Sequence, residues 1–373
     1  TVVHLLNLEL FGKTLTLDAS MAGWQQLFWD GTCVSQITAS DAVDTDSVMH
    51  QFELTQVVVS KEGDEPQEQK IVISLNNSIN WQPFSLDYQL NVDGQDVASG
   101  RLNEKDIESR EIENQGESKP KVSTVGLLGL GLKLFKSAKV IKVVLAAGSL
   151  AAYSWLFSFQ FALALVGCLV FHEYGHVRAM KYFGMKTKGF YLIPFLGGLA
   201  VNDDKLNTRW QDVVISIMGP FFGLLLSLGL LVAYWITGIE IIGGIAVFNA
   251  LLNLFQLLPV LPLDGGHVLK SIAYSVNSKM GLVVCVLGAG LGVYVSYTFG
   301  FALLGFLLAI GSIEIFFEYK YRHQTRLLPL DRYGQIISGA WYLLTVVGLA
   351  AIIWGLGQSA NDALALPFKI LGS

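Results

Sequence analysis

The chain has 373 residues, of which 52% are hydrophobic and only 15% are charged. Ordinary soluble domains carry about 25% charged residues. Several uncharged runs approach the roughly 20 residues that cross a bilayer as a helix. This composition excludes a wholly soluble protein and predicts a polytopic α-helical membrane protein.

The net charge of −5 conceals an asymmetry along the chain. Residues 1–120 hold 20 acidic and 7 basic side chains (−13), whereas the remainder holds 10 acidic and 18 basic (+8). The balance predicts an acidic soluble domain ahead of a basic-rimmed membrane domain. The cysteines at 33, 168 and 285 show no disulfide or metal-site spacing. No signal peptide is expected, because the first apolar stretch is short and interrupted by polar residues.

Residues 1–105 predict a soluble, β-sandwich-like domain. Apolar and polar side chains alternate over 14–18, 52–59, 71–75 and 86–92. Turn residues separate these runs, as at Asp30-Gly31 and Asp93-Gly94. Segments 27–35 and 90–99 resemble each other, which two hairpins with the same turn explain more simply than a duplication.

Residues 106–137 predict a linker followed by an interfacial segment. The stretch from 122 to 142 mixes leucines with four lysines. A basic amphipathic segment beside a membrane span is typical of binding to anionic lipid. Membrane lipid is therefore an expected partner.

About seven spans follow, each near the length that a bilayer requires. They are predicted at 138–157, 159–182, 210–237, 240–258, 280–298, 300–318 and 336–357. Lysines and arginines collect in the connections on one side only: 133–142, 178–188, 270–279 and 320–332. The positive-inside rule therefore predicts that the N-terminal domain is cytosolic.

The segment Phe171–His176 lies at the end of a long uncharged run. In a helix, His172 and His176 share one face and can bind one Zn²⁺, while Glu173 can serve as general base. Ionisable residues inside a membrane helix indicate function. A catalytic zinc uses three protein ligands, and Asp264 in the Gly-Gly turn at 265–266 is the best third.

These residues make the chain resemble the site-2 protease family of intramembrane zinc metalloproteases. The resemblance rests on His172–His176 and on Pro259–Gly266. It also includes residues 189–201, similar to the family's membrane-inserted β-hairpin, and Met218-Gly219-Pro220. It covers roughly residues 138–275, the implied protease core, and leaves 276–373 as additional C-terminal transmembrane helices. It implies one Zn²⁺ per chain, held by His172, His176 and Asp264, with Glu173 as base.

Two positions depart from the family pattern, which has asparagine where this chain has Gln256 and often where it has Gly223. Gln256, Asn253 or Asn249 could orient the scissile peptide or stabilise its oxyanion; hydrogen bonding between helices is the alternative. A hairpin edge around Gly197 and Gly198 is expected to bind unwound substrate. Cys168 and His267 are weaker candidates, better explained by packing and by the turn.

The function predicted from the sequence is an intramembrane zinc endopeptidase that cleaves transmembrane segments of other proteins. A cytosolic regulator of the N-terminal domain is a further candidate partner, and no nucleic-acid motif is present. The expected location is a bacterial cytoplasmic membrane. The alternatives are a zinc-binding membrane transporter and a catalytically silent, protease-like scaffold.

Overall fold

A computed structural model describes most of the chain. The described residues are 2–38, 47–58, 67–110, 159–185, 187–193, 197–202, 206–299 and 327–357, with single positions at 144, 147–148, 150–151 and 311. The predicted interfacial segment and the predicted spans 138–157 and 300–318 lie almost entirely outside these residues.

The N-terminal region consists of two four-stranded antiparallel sheets, each a simple meander. The first contains β1 (Val2–Leu10), β2 (Lys13–Ser20), β3 (Gln25–Trp29) and β4 (Thr32–Ile37); the second contains β5 (Val48–Val58), β6 (Gln67–Trp81), β7 (Phe84–Val92) and β8 (Gln95–Asn103). Alternate side chains of both sheets, such as Leu17, Leu27 and Leu75, are fully buried in one shared cluster. The predicted all-β region is confirmed.

The last hairpin of each sheet uses the same turn. Asp30 and Gly31 have φ angles of 49° and 77°, and Asp93 and Gly94 have 49° and 80°. Positive φ at both central residues suits a two-residue hairpin, because it matches the right-handed twist of the flanking strands. This shared turn accounts for the resemblance between segments 27–35 and 90–99.

One compact unit contains residues Thr1–Arg110, Asn207–Arg209 and Phe317–Gln335. A short helix, α1 (Glu104–Glu108), follows β8 and begins with a capping box between Asn103 and Asp106. Leu328 is 1% exposed and belongs to the buried cluster of the sheets. Its backbone pairs with Asn207 and Arg209 through N–H···O bonds of 2.9 Å each. Segments distant in sequence therefore share the core of this unit.

The second compact unit contains a small hairpin and the described helices other than α1, although the helices that begin at Arg209 and Arg332 have their first residues in the first unit. Its helices are α2 (Phe159–Tyr182), α3 (Arg209–Thr237), α4 (Glu240–Gln256), α5 (Asp264–Val276), α6 (Ser278–Phe299) and α7 (Arg332–Gly357). Among the described residues, three helices are long and apolar enough to cross a membrane: Arg209–Thr237, Lys279–Thr298 and Arg332–Leu356. Helix α4 is apolar but has 17 residues. The structure thus supports three spans by length and composition.

The predicted hairpin is present between α2 and α3. Strands β9 (Thr187–Ile193) and β10 (Gly197–Asn202) pair antiparallel, with Tyr191 opposite Leu199 and Ile193 opposite Gly197. Apolar runs around a Pro/Gly turn favour strands over a helix, because proline cannot donate within a helix and glycine weakens one.

Candidate metal centre

Helix α2 places two histidines on one buried face. His172 and His176 are i and i+4 neighbours and are 4% and 7% exposed. Their Nε2 atoms lie 3.0 Å apart. Glu173, 3% exposed, lies beside them, and one ligand atom from each of the three residues falls within 4.8 Å of the others.

The outer ring nitrogens fix the tautomer of both histidines. His176 Nδ1 lies 2.7 Å from the main-chain oxygen of Ile215, which can only accept, so Nδ1 carries the proton. His172 Nδ1 lies 2.7 Å from Asn253 Oδ1. In a neutral imidazole with a protonated Nδ1, the lone pair is on Nε2. Both lone pairs therefore point into the space between the rings.

Asp264 completes the set from the first turn of α5. Its Oδ2 lies 3.3 Å from His172 Nε2 and 3.5 Å from His176 Nε2. This oxygen is buried and has no hydrogen-bond partner among the described residues. A buried carboxylate oxygen without a partner is costly, and a cation is one of the few ways to satisfy it.

The three inward-facing atoms suit Zn²⁺. In a tetrahedral centre with bonds of about 2.0–2.1 Å, ligand atoms lie roughly 3.3 Å apart. The separations of 3.0, 3.3 and 3.5 Å among His172, His176 and Asp264 scatter around that value. Three converging lone pairs repel one another in a buried site unless a cation lies between them. The donor set therefore fits a zinc ion with a fourth position open.

Glycines let backbone approach the histidines closely. A Cβ at Gly219 of α3 would overlap His176 Nε2 and would lie 2.9 Å from His172 Nε2. A Cβ at Gly175 of α2 would overlap the main-chain oxygen of Met218. Pro220 follows inside α3 and removes one helical N–H donor. Helices α2 and α3 can therefore touch at this level only because both lack side chains there.

A compact turn positions Asp264 at the start of α5. Backbone bonds join Leu258 to Phe255 and Leu263 to Val260. A Cβ at Gly265 would overlap the main-chain oxygen of Leu257, and one at Gly266 would lie 2.5 Å from the carbonyl carbon of Val260. The two glycines thus allow α5 to begin directly against the preceding turn, which brings the carboxylate to the histidines.

Some of the other predicted site residues contact the histidines and others do not. Asn249 and Asn253 of α4 are 1% and 2% exposed, and Asn253 contacts His172. Gln256 is half-buried, with no side-chain hydrogen bond among the described residues. His267 lies 3.8 Å from Asp212, measured between Nδ1 and Oδ1. Cys168 is buried outside the histidine cluster. Gly197 and Gly198 pair with β9 in the hairpin.

Two contributors to the site were not predicted from the sequence. The Ile215 carbonyl binds His176, and Gly219 provides space for both rings. Main-chain acceptors leave no residue-type signal. The Gly-Pro pair inside a predicted span was a usable signal, because such a pair in a helix usually has a packing reason.

The sequence profile of Peptidase family M50 matches residues 160–242. The chain is 34% identical over 205 residues to a Synechocystis sp. protein with the provisional name of a zinc metalloprotease, covering 53% of this chain and 48% of that protein. It is 26% identical over 200 residues to a zinc metalloprotease of Methanocaldococcus jannaschii (51% and 57%). It is 26% identical over 187 residues to the stage IV sporulation protein FB of Bacillus subtilis (46% and 63%). The chain thus spans about half to three-fifths of the length of these relatives.

Proposed function

Because this chain belongs to the site-2 protease family, peptidase family M50, we propose that it is an intramembrane zinc endopeptidase. One observation carries the proposal: His172, His176 and Asp264 turn ligand atoms toward a common point beside a buried glutamate. The surrounding apolar helices make a membrane the natural setting for this site.

In the proposed enzyme, His172, His176 and Asp264 hold one Zn²⁺ per chain. When bound, the ion supplies Lewis acidity for peptide hydrolysis. The Glu173 carboxylate takes the proton from the attacking water and returns it to the leaving amine. The Nδ1–H bonds to Asn253 and Ile215 hold both rings with Nε2 turned toward the position of the ion during this cycle.

The proposed substrate is a transmembrane segment of another protein. Its peptide bonds are already hydrogen-bonded within a helix, so a stretch must unwind before water can attack. The hairpin edge around Gly197 and Gly198 offers main-chain groups that can pair with the unwound stretch. Half-buried Gln256 is a further candidate for binding the substrate backbone, and Asn249 is one that would have to act from deeper within the helices.

The proposed setting is a bacterial cytoplasmic membrane, crossed about seven times, with the N-terminal domain in the cytosol. The proposed division is a β-domain at 1–105, a linker and interfacial segment at 106–137, the protease core at 138–275 and further spans at 276–373. Cleavage in this setting would release fragments in regulated intramembrane proteolysis. The acidic N-terminal domain would be the surface for a cytosolic regulator.

The structure favours a protease over a transporter. A metal transporter needs ligands along a whole pathway, whereas the part of the chain described here contains one candidate metal cluster, at His172, Glu173 and His176. A silent scaffold would have no need for Glu173, which is buried beside the histidines at the cost of desolvating a carboxylate.

The test compares cleavage and zinc content in the same preparations of the full chain in lipid nanodiscs. Glu173→Gln should retain about one zinc per chain and lose cleavage of a model transmembrane substrate by at least about 100-fold, since general acid–base catalysis contributes 10²–10⁴-fold. Asp264→Ala should lose both zinc and cleavage. Chelation of the wild-type enzyme should stop cleavage, and added zinc should restore it.

Cys168→Ala and His267→Ala are the matched controls, because both side chains lie near the motif without joining the three ligand atoms. Both variants should keep their zinc. Cleavage by Glu173→Gln at a substantial fraction of the wild-type rate would overturn the mechanism, and full zinc occupancy in Asp264→Ala would overturn the ligand assignment.

A further inference from the structure

We propose that Asn253 is a positioning residue that holds His172 in its metal-binding orientation through a relay of buried amides. The relay runs from His172 to Asn253, then to Asn249, and ends on the backbone of α3 and α4. The inference rests on the proposed zinc site and assigns a specific task to α4, which contributes none of the three ligands.

The direction of each amide follows from main-chain acceptors. Asn253 Nδ2 lies 2.8 Å from the main-chain oxygen of Asn249, which can only accept, so this side of the amide is the donor. Asn253 Oδ1 therefore faces His172 Nδ1 at 2.7 Å and accepts its proton. The tautomer of His172 is thus set by a side chain of a neighbouring helix, whereas that of His176 is set by backbone.

Asn249 fixes Asn253 in turn. Asn249 Nδ2 donates to the main-chain oxygen of Gly223 and to Ser227 Oγ, both at 2.8 Å. Its Oδ1 is left facing Asn253 Nδ2 at 3.1 Å. Ser227 Oγ donates to the main-chain oxygen of Ala246 at 3.1 Å and can therefore only accept from Asn249. Every proton in the relay has one assigned acceptor, so Asn253 cannot flip without breaking bonds.

Burial makes this arrangement expensive to change. Asn249, Asn253 and Ser227 are 1%, 2% and 0% exposed, so a broken bond leaves a polar group unsatisfied. A Cβ at Gly223 would overlap the Asn253 carboxamide. The absence of a side chain at Gly223 thus provides the space that the Asn253 amide occupies against α3.

The relay should act on zinc affinity directly. A hydrogen bond to the outer nitrogen of a ligating histidine orients the ring and raises its basicity, and its loss typically costs roughly 10–100-fold in metal affinity. We expect Asn253→Leu, which keeps the volume and removes the acceptor, to weaken zinc binding by roughly this factor. Asn253→Asp keeps an oxygen against His172 Nδ1 but loses the donor to Asn249, so it should recover part of the affinity.

The experiment measures the zinc dissociation constant of full-length protein by competition with a chromophoric chelator, with the melting temperature of the same samples. Cobalt(II) substitution adds a visible spectrum that reports ligand geometry without any need for cleavage. Gly223→Ala is an independent variant, because it displaces the Asn253 amide without altering His172. Gly229→Ala is its control on the same helix, with nothing within 4 Å of the added Cβ.

The proposal requires weaker zinc binding and an altered cobalt spectrum in Asn253→Leu and Gly223→Ala, with partial recovery in Asn253→Asp. Unchanged zinc affinity in Asn253→Leu would overturn it. A lower melting temperature with normal zinc affinity would also overturn it, because that result identifies a purely structural amide. If Asn253→Leu does not fold, Gly223→Ala and Asn253→Asp decide between these outcomes. A protein that binds zinc as described but cleaves nothing would refute the proposed function and leave this inference standing.

Discussion

Gly219 is a residue at which the backbone of α3 passes close to the proposed zinc ligands. A Cβ there would overlap His176 Nε2 and crowd His172 Nε2. The overlap is with the atoms that would bind the metal, so a single methyl group competes with ligation. Glycine at this position is therefore required by close approach, although its φ angle is ordinary for a helix.

We predict that Gly219→Ala lowers zinc affinity by at least about tenfold, comparable to the loss of an orienting contact, and lowers cleavage in proportion. Zinc content after dialysis against a weak chelator measures the effect. Gly229→Ala on the same helix should keep wild-type zinc content, because its Cβ meets nothing within 4 Å. Equal zinc content in both variants would show that the rings can move aside and that Gly219 is dispensable.

The two departures from the family pattern, Gly223 and Gln256, can each be explained by the amide groups around them. Gly223 carries no amide, but the carboxamide of Asn253 fills the adjacent space and its partner Asn249 donates to the Gly223 carbonyl. Gln256 keeps an amide on a longer side chain and is half-buried. Among the described residues, the amides identified at this site thus belong to α4.

The hairpin is a two-stranded sheet in which β9 pairs with β10. A two-stranded sheet has two outer edges, and unpaired edge groups readily accept another strand. Successive N–H groups point to opposite edges, so Tyr191 and Leu199, which face each other, differ in this respect from Phe190 and Ala200. A single proline therefore removes one of two kinds of N–H donor, depending on its position. It removes either a donor that points to an outer edge or a donor that pairs the two strands.

We predict that Phe190→Pro and Ala200→Pro, which should remove outer N–H donors, reduce cleavage about tenfold, since losing a hydrogen bond and crowding the edge costs about 1.5 kcal/mol. Zinc content and melting temperature should stay normal. Tyr191→Pro and Leu199→Pro provide the contrast, because they should remove donors within the ladder and break the hairpin itself. Parallel loss of cleavage, zinc and melting temperature in all four variants would identify the hairpin as a structural plug.

Local patterns predicted much of the fold and of the site. Alternation and Asp-Gly turns located the strands, and helical periodicity placed His172 and His176 together, because both depend on neighbours in sequence. The proposed third ligand, Asp264, was predicted from its Gly-Gly turn and from the family resemblance, and it requires the glycine contacts of its turn to reach the site. The contact between Asn253 and His172 depends on how α4 is rotated against α2, and residue spacing within one helix carries no such information.

At the scale of the whole molecule, one compact unit constrains the topology. Leu328 is buried in the same cluster as the strands of the N-terminal sheets, and Asn207 donates to the main-chain oxygens of Glu108 and Arg110 at 3.2 and 2.9 Å. Segments that share a water-soluble core must lie on the same side of a bilayer. The N-terminal region, the start of α3 and the segment before α7 therefore face one compartment.

This shared side agrees with the separate argument from charge. The cluster of Lys320, Arg322, Arg326 and Arg332 adjoins Leu328, and the lysines of 178–188 precede Asn207. Because basic connections usually remain on the cytosolic side, we propose that the whole unit faces the cytosol. Helix α7, which is long and apolar enough to cross a membrane from Arg332 onward, would then lead away from that compartment.

We predict that a fluorescent protein fused to the N-terminus, or inserted between Tyr321 and Arg326, reports the cytosol, whereas alkaline phosphatase fused after Gly357 is active outside. The first two reporters must agree because one core holds both segments, so disagreement between them would contradict the compact unit itself. Agreement on the external side would keep the unit and reverse the orientation. Replacing Arg322 and Arg326 with glutamine tests what sets the orientation. The preference for one orientation should weaken if basic residues set it, and it should stay unchanged if the folded N-terminal region sets it.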